Sequence, residues 1–554
     1  NDFSVDWRRV FGAHDVALTG GFRFNSYSYS YSSVTGYNND QDKMPNMSYS
    51  LQYKNYGGAN DNWNNLAYYL VAGYNYKNKY FLNGTMSMEA SSRFGKNADS
   101  GVKLCGVTWG IFPSLQAAWL ISSEKWFNVK GIDYLKLTGG YEMSGNDNID
   151  YYATRTYFSN FQFLDKATGL VLANIKNPKL QWETTKRFNI GLQASLLNNR
   201  VNLGLEYFNS KTDNLLTRKS VSDVTGLSTM WSNDGALSNK GVDFNINAML
   251  IQHKDWRWQA GFSIGHYKNE ITSLPTSNLN TIRTYALNED GSRGAETQMH
   301  GYTSSIYGSN NVLTAVGKAA GLFYGYKTAG VFATDAEAAS AGKYGYLRYP
   351  TGLSEQPSRD FRAGDVHFVD QNGDGWINEA DMVVIGDPNP DIYGNIFTSL
   401  SWKSLKLDVN FKYSLGNDVF NYQRSQLESL NTNWNQTTAA VNRWRYEGQQ
   451  TDMPRAMYTT SDQWVNNERF SDRWIEDGSY LKLKNIRLTY NVPVNLSWLL
   501  GLSVWGECNN VFTISKYTGN DPEFSAGNGV LYQGIDAGYL TQGRNFNLGV
   551  TINL

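Results

Sequence analysis

A two-residue rhythm runs through this chain and limits what it can fold into. In the last stretch Phe546, Leu548, Val550, Ile552 and Leu554 alternate with Asn545, Asn547, Gly549, Thr551 and Asn553. The same pattern recurs at Phe188/Ile190/Leu192/Ala194/Leu196, Val201/Leu203/Leu205/Tyr207, Val242/Phe244/Ile246/Ala248/Leu250 and Leu405/Leu407/Val409/Phe411/Tyr413. A strand sends successive side chains to opposite faces, so each stretch has one apolar and one polar face. The stretches are about ten residues long and come in hairpins, with short connections at one end and long ones at the other. That is the pattern of an all-β protein, a transmembrane antiparallel β-barrel with long extracellular loops.

Composition agrees with this reading. The chain has 554 residues, and aromatics make up 14% of it, as interfacial girdles of a barrel require. No stretch approaches the roughly 18 apolar residues of a spanning helix. Mean hydropathy is nonetheless on the polar side, which a barrel tolerates because half of each strand faces the lumen. A net charge of −1 gives no reason to expect a nucleic-acid partner. Cys105 and Cys508 are the only cysteines and offer no disulfide or zinc framework.

Seven hairpins can be placed, turning at 12–15, 77–79, 123–132, 198–199, 253–255, 404 and 493–501, before a single final strand at 541–554. In 479–492 the apolar phase slips between Leu483 and Ile486, as a β-bulge would make it. The remaining connections are roughly 30–65, 95–106, 147–182, 214–236, 273–392, 416–478 and 515–540. They are long and rich in Gly, Ser, Asn and aromatics, and all fall at one end of the strands, the extracellular end of a bacterial barrel. A soluble β-sandwich or propeller also alternates, but a propeller has even loops and a blade-sized repeat, and neither is present.

Strand direction carries a further expectation. A barrel of even strand number has both termini in the periplasm, so its first strand runs outward. The strand at 3–11 runs into a short turn and therefore points inward. About fifteen strands follow from there, and a closed barrel of about twenty-two, the size of plugged transporters, would need about seven more before it. Residues 1–554 are thus expected to be the C-terminal portion of a larger barrel whose C-terminus is periplasmic.

Several segments, in order, resemble the SusC/RagA class of TonB-dependent outer-membrane transporters of Bacteroidetes. They are IFPSLQAAWLISSE at 111–124, LKLTGGYEMSGN at 135–146, NPKLQWETTKRFNIGLQ at 177–193 and NDGALSNKGVDF at 233–244. GLFYGYKTAGVF at 321–332, GDVHFVDQNGDGWINEADMVVIGDPNPDIYGN at 364–395, RWIEDGSYLKLKNIRLTY at 473–490 and GRNFNLGVTINL at 543–554 continue the series. The resemblance implies a nutrient importer of the bacterial outer membrane, surrounded by lipid and lipopolysaccharide. It implies a SusD-like surface lipoprotein as lid, a glycan or peptide as substrate, and energy from TonB-ExbB-ExbD through a segment not in this chain. Members of the class also carry a plug and an N-terminal domain, and neither is visible in these residues. A passive channel without a plug, or a structural barrel of a larger assembly, is the alternative.

One motif has ligand spacing. Asp370, Asn372 and Asp374 place hard oxygens at positions one, three and five of a calcium loop, and Gly375 allows the sharp turn at six. The Trp376 carbonyl is the seventh-position ligand and Asp381 takes the twelfth place, where Glu is usual. Ile377 is expected to anchor the loop in a small core. Its position in the long 273–392 loop points to a structural Ca2+, and an Asx-rich turn without metal is the alternative.

Trp63, Tyr151, Tyr152, Trp231, Tyr302, Tyr307, Trp434, Trp444 and Trp464 fall outside the expected strands and are candidates for substrate contact or for packing loops together. Short helices are expected within 431–444 and 461–473. No enzyme is expected: His14, His253, His266, His300 and His367 lack metal spacing, and no nucleophile elbow, Walker loop or HExxH is present. Asp360 and Asp365 read as ordinary loop carboxylates.

Overall fold

The computed structural model describes residues 1–553 apart from 40–49, 100, 164–166, 277–279, 289–292, 309–310, 342–347, 350–358, 462–463 and 495–497. Leu554, the end of the last expected strand, and 495–497 in the 493–501 turn lie outside the described residues. The wall is one antiparallel meander. Its strands are β1 (Asp2–Phe11), β2 (His14–Asn39), β3 (Ser50–Tyr76), β4 (Tyr80–Ser91) and β5 (Val107–Leu120). Next come β6 (Ile132–Asn146), β7 (Glu183–Leu196), β8 (Val201–Ser220), β9 (Thr229–Gln252) and β10 (Trp256–Ser273). The last are β11 (Ile392–Trp402), β12 (Leu405–Leu415), β13 (Tyr480–Val492), β14 (Gly501–Ser515) and β15 (Asn545–Asn553). Each pairs with its neighbours in chain order, and a short strand at Val102–Leu104 pairs beside β5. Among the described residues β1 pairs only with β2 and β15 only with β14.

Register puts the apolar residues on one face. Leu192 lies opposite Leu205, Leu205 opposite Phe244, and Phe244 opposite Ile264. This face is bare in the isolated chain: Leu70 and Leu115 are each 52% exposed. It is the lipid-facing side, and Trp119, Trp126, Trp256 and Trp402 gather near the short turns as an interfacial girdle. The other face is polar, with Glu206 opposite Asp243 and Arg187 3.1 Å from Glu206. The bulge expected between Leu483 and Ile486 is present. Asn410 pairs with Asn485 and Phe411 with Leu483, leaving Lys484 unopposed.

Two connections expected as loops are largely strand. β2 runs to Asn39 and β3 begins at Ser50, while β8 runs to Ser220 and β9 begins at Thr229. The alternation persists there, but with other chemistry, because the outward positions no longer meet lipid. Past Phe24 and Leu66 the outer face of the first of these hairpins is Ser26, Ser28 and Ser30 against Asn64, Asn62 and Asn60. Trp63 and Trp231 are therefore strand residues, and so is Tyr302, which sits in a strand of the cap.

The connections at the β10–β11, β12–β13 and β14–β15 junctions build a cap. Residues 273–392 contain a five-stranded antiparallel sheet of Asn280–Leu287, Arg293–Ser304, Val312–Ala315, Leu322–Gly325 and Val383–Gly386. Asp418–Asn421 pairs with Ile475–Asp477 and, in parallel, with Ile535–Asp536, tying the second connection to the third. The largest fully buried side chains, among them Trp474, Phe323, Phe368, Leu180, Ile377 and Ile535, all belong to connections rather than to the wall. A wall whose apolar face meets lipid has no core of its own, so the connections bury apolar groups against each other. Each such side chain contributes about 1.5–3 kcal/mol relative to exposure.

The helices differ from expectation. Among the described residues, 431–444 forms only a 3-10 turn, at Thr438–Asn442, and 461–473 only one, at Asp472–Trp474. Among the described residues the two short α-helices are α1 (Asp335–Ser340) and α2 (Tyr422–Leu427). Both are capped: the Glu337 amide donates to the Thr334 hydroxyl, and the Arg424 amide donates to the Asn421 side chain.

Candidate functional site

The calcium-like loop lies in the cap against a buried cluster. Ile377 is fully enclosed with Phe332, Phe361, Val366, Phe368 and Val465, so the anchoring expected of it holds. Gly373 and Gly375 take φ of 72° and 82°, a left-handed turn that suits glycine. Asp370 accepts from the Gly373 and Gly375 amides at 2.6 and 2.8 Å. Asn372 accepts from the Asp374 amide at 2.9 Å and Asp374 from the Trp376 amide at 2.8 Å. Asp381 closes the loop by accepting from the Gln371 and Asn378 amides, both at 2.9 Å.

The structure thus brings all five predicted residues into one Asx-turn network. The donor set is hard oxygen throughout, the chemistry a calcium ion requires. Among the described residues no three acidic, His or Cys side chains converge on a single point. Asp381 is fully buried. Burial first, and Asp370 beside it, push its carboxyl up to about 7, against the amides that favour the anion. A cation at the loop would reverse that balance.

Charged residues whose role sequence reasoning did not see join the connections to one another and to the wall. Asp365 is fully buried and takes both arms of Arg455, at 2.7 and 2.9 Å, together with the Asn467 side chain at 3.0 Å. It is not an ordinary loop carboxylate but a tie between two connections. Lys482, almost wholly buried, reaches Asp521 at 2.7 Å and Glu523 at 2.9 Å. Glu523 also meets Lys412 at 2.6 Å and the bulged Lys484 at 3.2 Å. Burial opposes its charge, but the lysines hold the Glu523 carboxyl at about 2. The spacing of Lys482 and Lys484 around the phase slip was visible in the sequence, but the acids that answer them, about forty residues on, were not.

The aromatic candidates divide. Trp444 donates to the Ala333 carbonyl at 3.1 Å, and the Trp464 carbonyl accepts from Arg359 at 3.0 Å, so both take part in cap packing. Tyr307 stands 5.2 Å from Tyr422 by ring centroids and meets the Tyr539 hydroxyl at 3.4 Å. Trp434 is 68% exposed on the cap surface. Trp231 donates to Asp150 at 2.9 Å under the Arg218 guanidinium, and Tyr152 lies partly buried close by in the 147–156 segment. Trp63 and Tyr151 share the Arg93 guanidinium at the mouth of the wall. Arg93 lies 4.8 Å from the Trp63 ring and 5.0 Å from the Tyr151 ring, and its guanidinium donates to the Asp147 carbonyl at 3.0 Å. Trp63 donates to the Ser91 hydroxyl at 3.0 Å, which donates to Asp147 at 2.6 Å.

Comparison with known proteins agrees with this architecture. No family model matches the chain. TonB-dependent receptor P3 of Formosa agariphila is 29% identical over 569 residues, covering 99% of this chain and 51% of the relative. TonB-dependent receptor SusC of Bacteroides thetaiotaomicron is 28% identical over 510 residues, covering 88% of this chain and 43% of the relative. A solved structure of the RagAB peptide transporter superposes with a TM-score of 0.73 at 21% identity, covering 100% of this chain and 55% of that one. The chain therefore spans about half the length of the curated relatives it matches.

Proposed function

The chain folds as the wall and outer cap of a SusC/RagA-type outer-membrane barrel, and from that premise we propose that it serves an importer of glycans or peptides. Its relatives are named as receptors, not enzymes. In this reading a SusD-like lipoprotein closes over the cap from outside. TonB-ExbB-ExbD supplies energy through a segment outside this chain. The observation that carries the reading is the division of chemistry: a polar inner face, an apolar outer face, and buried cores confined to the connections at one end. Such a cap holds a fixed shape above the lumen, as a docking lid and a captured solute both require.

Asp370, Asn372, Asp374, the Trp376 carbonyl and Asp381 would hold a structural Ca2+ in this cap. Bound there, the ion would neutralise a loop that otherwise confines three carboxylates.

The test is uptake in the native bacterium. Deletion of TonB should abolish high-affinity uptake and growth on the cognate substrate, and removal of the paired lipoprotein should weaken both. Uptake that survives without TonB would make the protein a passive channel. A strain that keeps all uptake without this protein but loses an outer-membrane assembly would make it a structural barrel.

A further inference from the structure

Above the lipid-facing zone the β2–β3 hairpin reverses the usual distribution of chemistry. Its outer face becomes Ser and Asn, as described above, while its inner face becomes aromatic. Tyr27, Tyr29 and Tyr31 occupy successive inward positions and remain 47%, 41% and 47% exposed. Tyr27 lies opposite Trp63, Tyr29 opposite Asp61, and Tyr31 opposite Ala59. The small side chains beyond Trp63, Ala59 and then Gly57 opposite Ser33, leave the upper two rings uncovered. Neither the Tyr29 nor the Tyr31 hydroxyl finds a partner among the described residues. At its base the stripe is fixed. The Tyr27 and Tyr151 rings are stacked 6.5 Å apart at 10°, and Arg93 lies over both Tyr151 and Trp63.

We propose that Tyr27, Tyr29 and Tyr31 are the rungs of a glycan-binding ladder at the mouth of the wall, which deepens the importer reading above and rests on it. Residues two apart on a strand stand about 6.6–6.8 Å apart. The ladder therefore offers identical flat rings at a constant pitch. A polymer of identical units offers the same kind of C–H face to every rung, whereas a peptide of varied side chains does not. Each ring gives an apolar face to the C–H side of a sugar, and its hydroxyl meets the rim of sugar hydroxyls; tyrosine supplies both at low entropic cost. Charge points the same way. The three rungs are neutral, and the one ionised group among their cross-strand partners is Asp61, an acceptor suited to sugar hydroxyls and unfavourable to acidic peptides. The nearby cations are already committed, Arg93 to Asp147 and the two rings and Arg23 to Asp2. The stripe continues downward into the polar inner wall through Tyr69, Asp2 and Arg23, so a chain held on it points into the lumen.

The test uses the full-length protein purified from outer membranes. Binding is measured by calorimetry against neutral hexasaccharides of α-1,4- and β-1,4-linked glucose and β-1,4-linked xylose and mannose, and against a mixed hexapeptide library. At least one hexasaccharide should bind, with affinity lowered about fivefold to tenfold by Tyr29→Ala or Tyr31→Ala and much less by Tyr29→Phe or Tyr31→Phe. Absence of hexasaccharide binding, equal binding by the alanine variants, or rung-dependent binding of peptides alone would each overturn the ladder. Uptake in cells separates this proposal from the one it rests on. TonB-dependent uptake that ignores the rungs refutes the ladder and leaves the importer standing. Rung-dependent binding with TonB-independent uptake does the reverse.

Discussion

Arg455 grips the fully buried Asp365 through two parallel hydrogen bonds of 2.7 and 2.9 Å, and the pair, ninety residues apart in the chain, joins two connections. Arg455 is itself mostly buried, with 16% of its side chain exposed. Arg455→Ala would leave Asp365 as an uncompensated buried charge, at a cost of about 3–5 kcal/mol to the cap. We expect protease to cut the 273–392 and 416–478 connections readily in this variant, while the wall still migrates as a folded barrel on unheated gels. Equal protease resistance in variant and parent would contradict this account.

Asp381 gives the cap a pH dependence whose sign is fixed by its environment. Its carboxyl is raised from the ordinary 3.8 to about 7, so the folded loop holds a proton that the unfolded chain releases. Stability from that proton is full below the ordinary value and is lost as pH climbs toward about 7. Without calcium, thermal resistance of the loop should therefore fall between about pH 4 and pH 7. Calcium, which binds the anion, should restore it above that range. Asp381→Asn should flatten the pH profile and remove the calcium response. A parent protein whose melting ignores calcium at pH 8 would refute the metal reading.

Lys482 ties 516–540 to the wall. Lys482→Met should free Asp521 and weaken the hold on Glu523, loosening this segment by about 2–3 kcal/mol, with Lys412 and Lys484 limiting the loss. Faster hydrogen exchange confined to 516–540 is the expected readout. Because the Glu523 carboxyl sits at about 2, its contribution is present above the usual carboxylate range and lost only as pH falls through about 2. The segment should accordingly stay protected at pH 4 in the parent.

The two faces of the wall should respond oppositely to charge. Ile190 faces lipid beside Tyr207, and Asn189 next to it faces inward near Glu206. Ile190→Arg should destabilise the barrel by about 2–4 kcal/mol in bilayers, and Asn189→Arg by far less. Folding titrations in urea with lipid vesicles measure both, and equal effects would mean that the faces are assigned wrongly.

Alternation by itself determined the wall. Strand number, the outward face, the short turns and even the bulge at Lys484 were legible because each depends only on neighbours a few residues apart and on which solvent each face meets. The ligand-spaced loop around Asp370 and its anchor Ile377 were legible for the same reason. Local patterning could not reveal the cap. Phe420 pairs in parallel with Ile535, and Asp365 meets Arg455, across separations no periodicity records. Nor could it show that Tyr31, expected in the 30–65 loop, continues the strand that carries Tyr27 and Tyr29. That depended on β2 and β3 continuing past the lipid zone, where the inner and outer faces exchange their chemistry. Tertiary structure decided these because the lipid removes the wall's own core, so the connections must find partners far along the chain to bury their apolar groups.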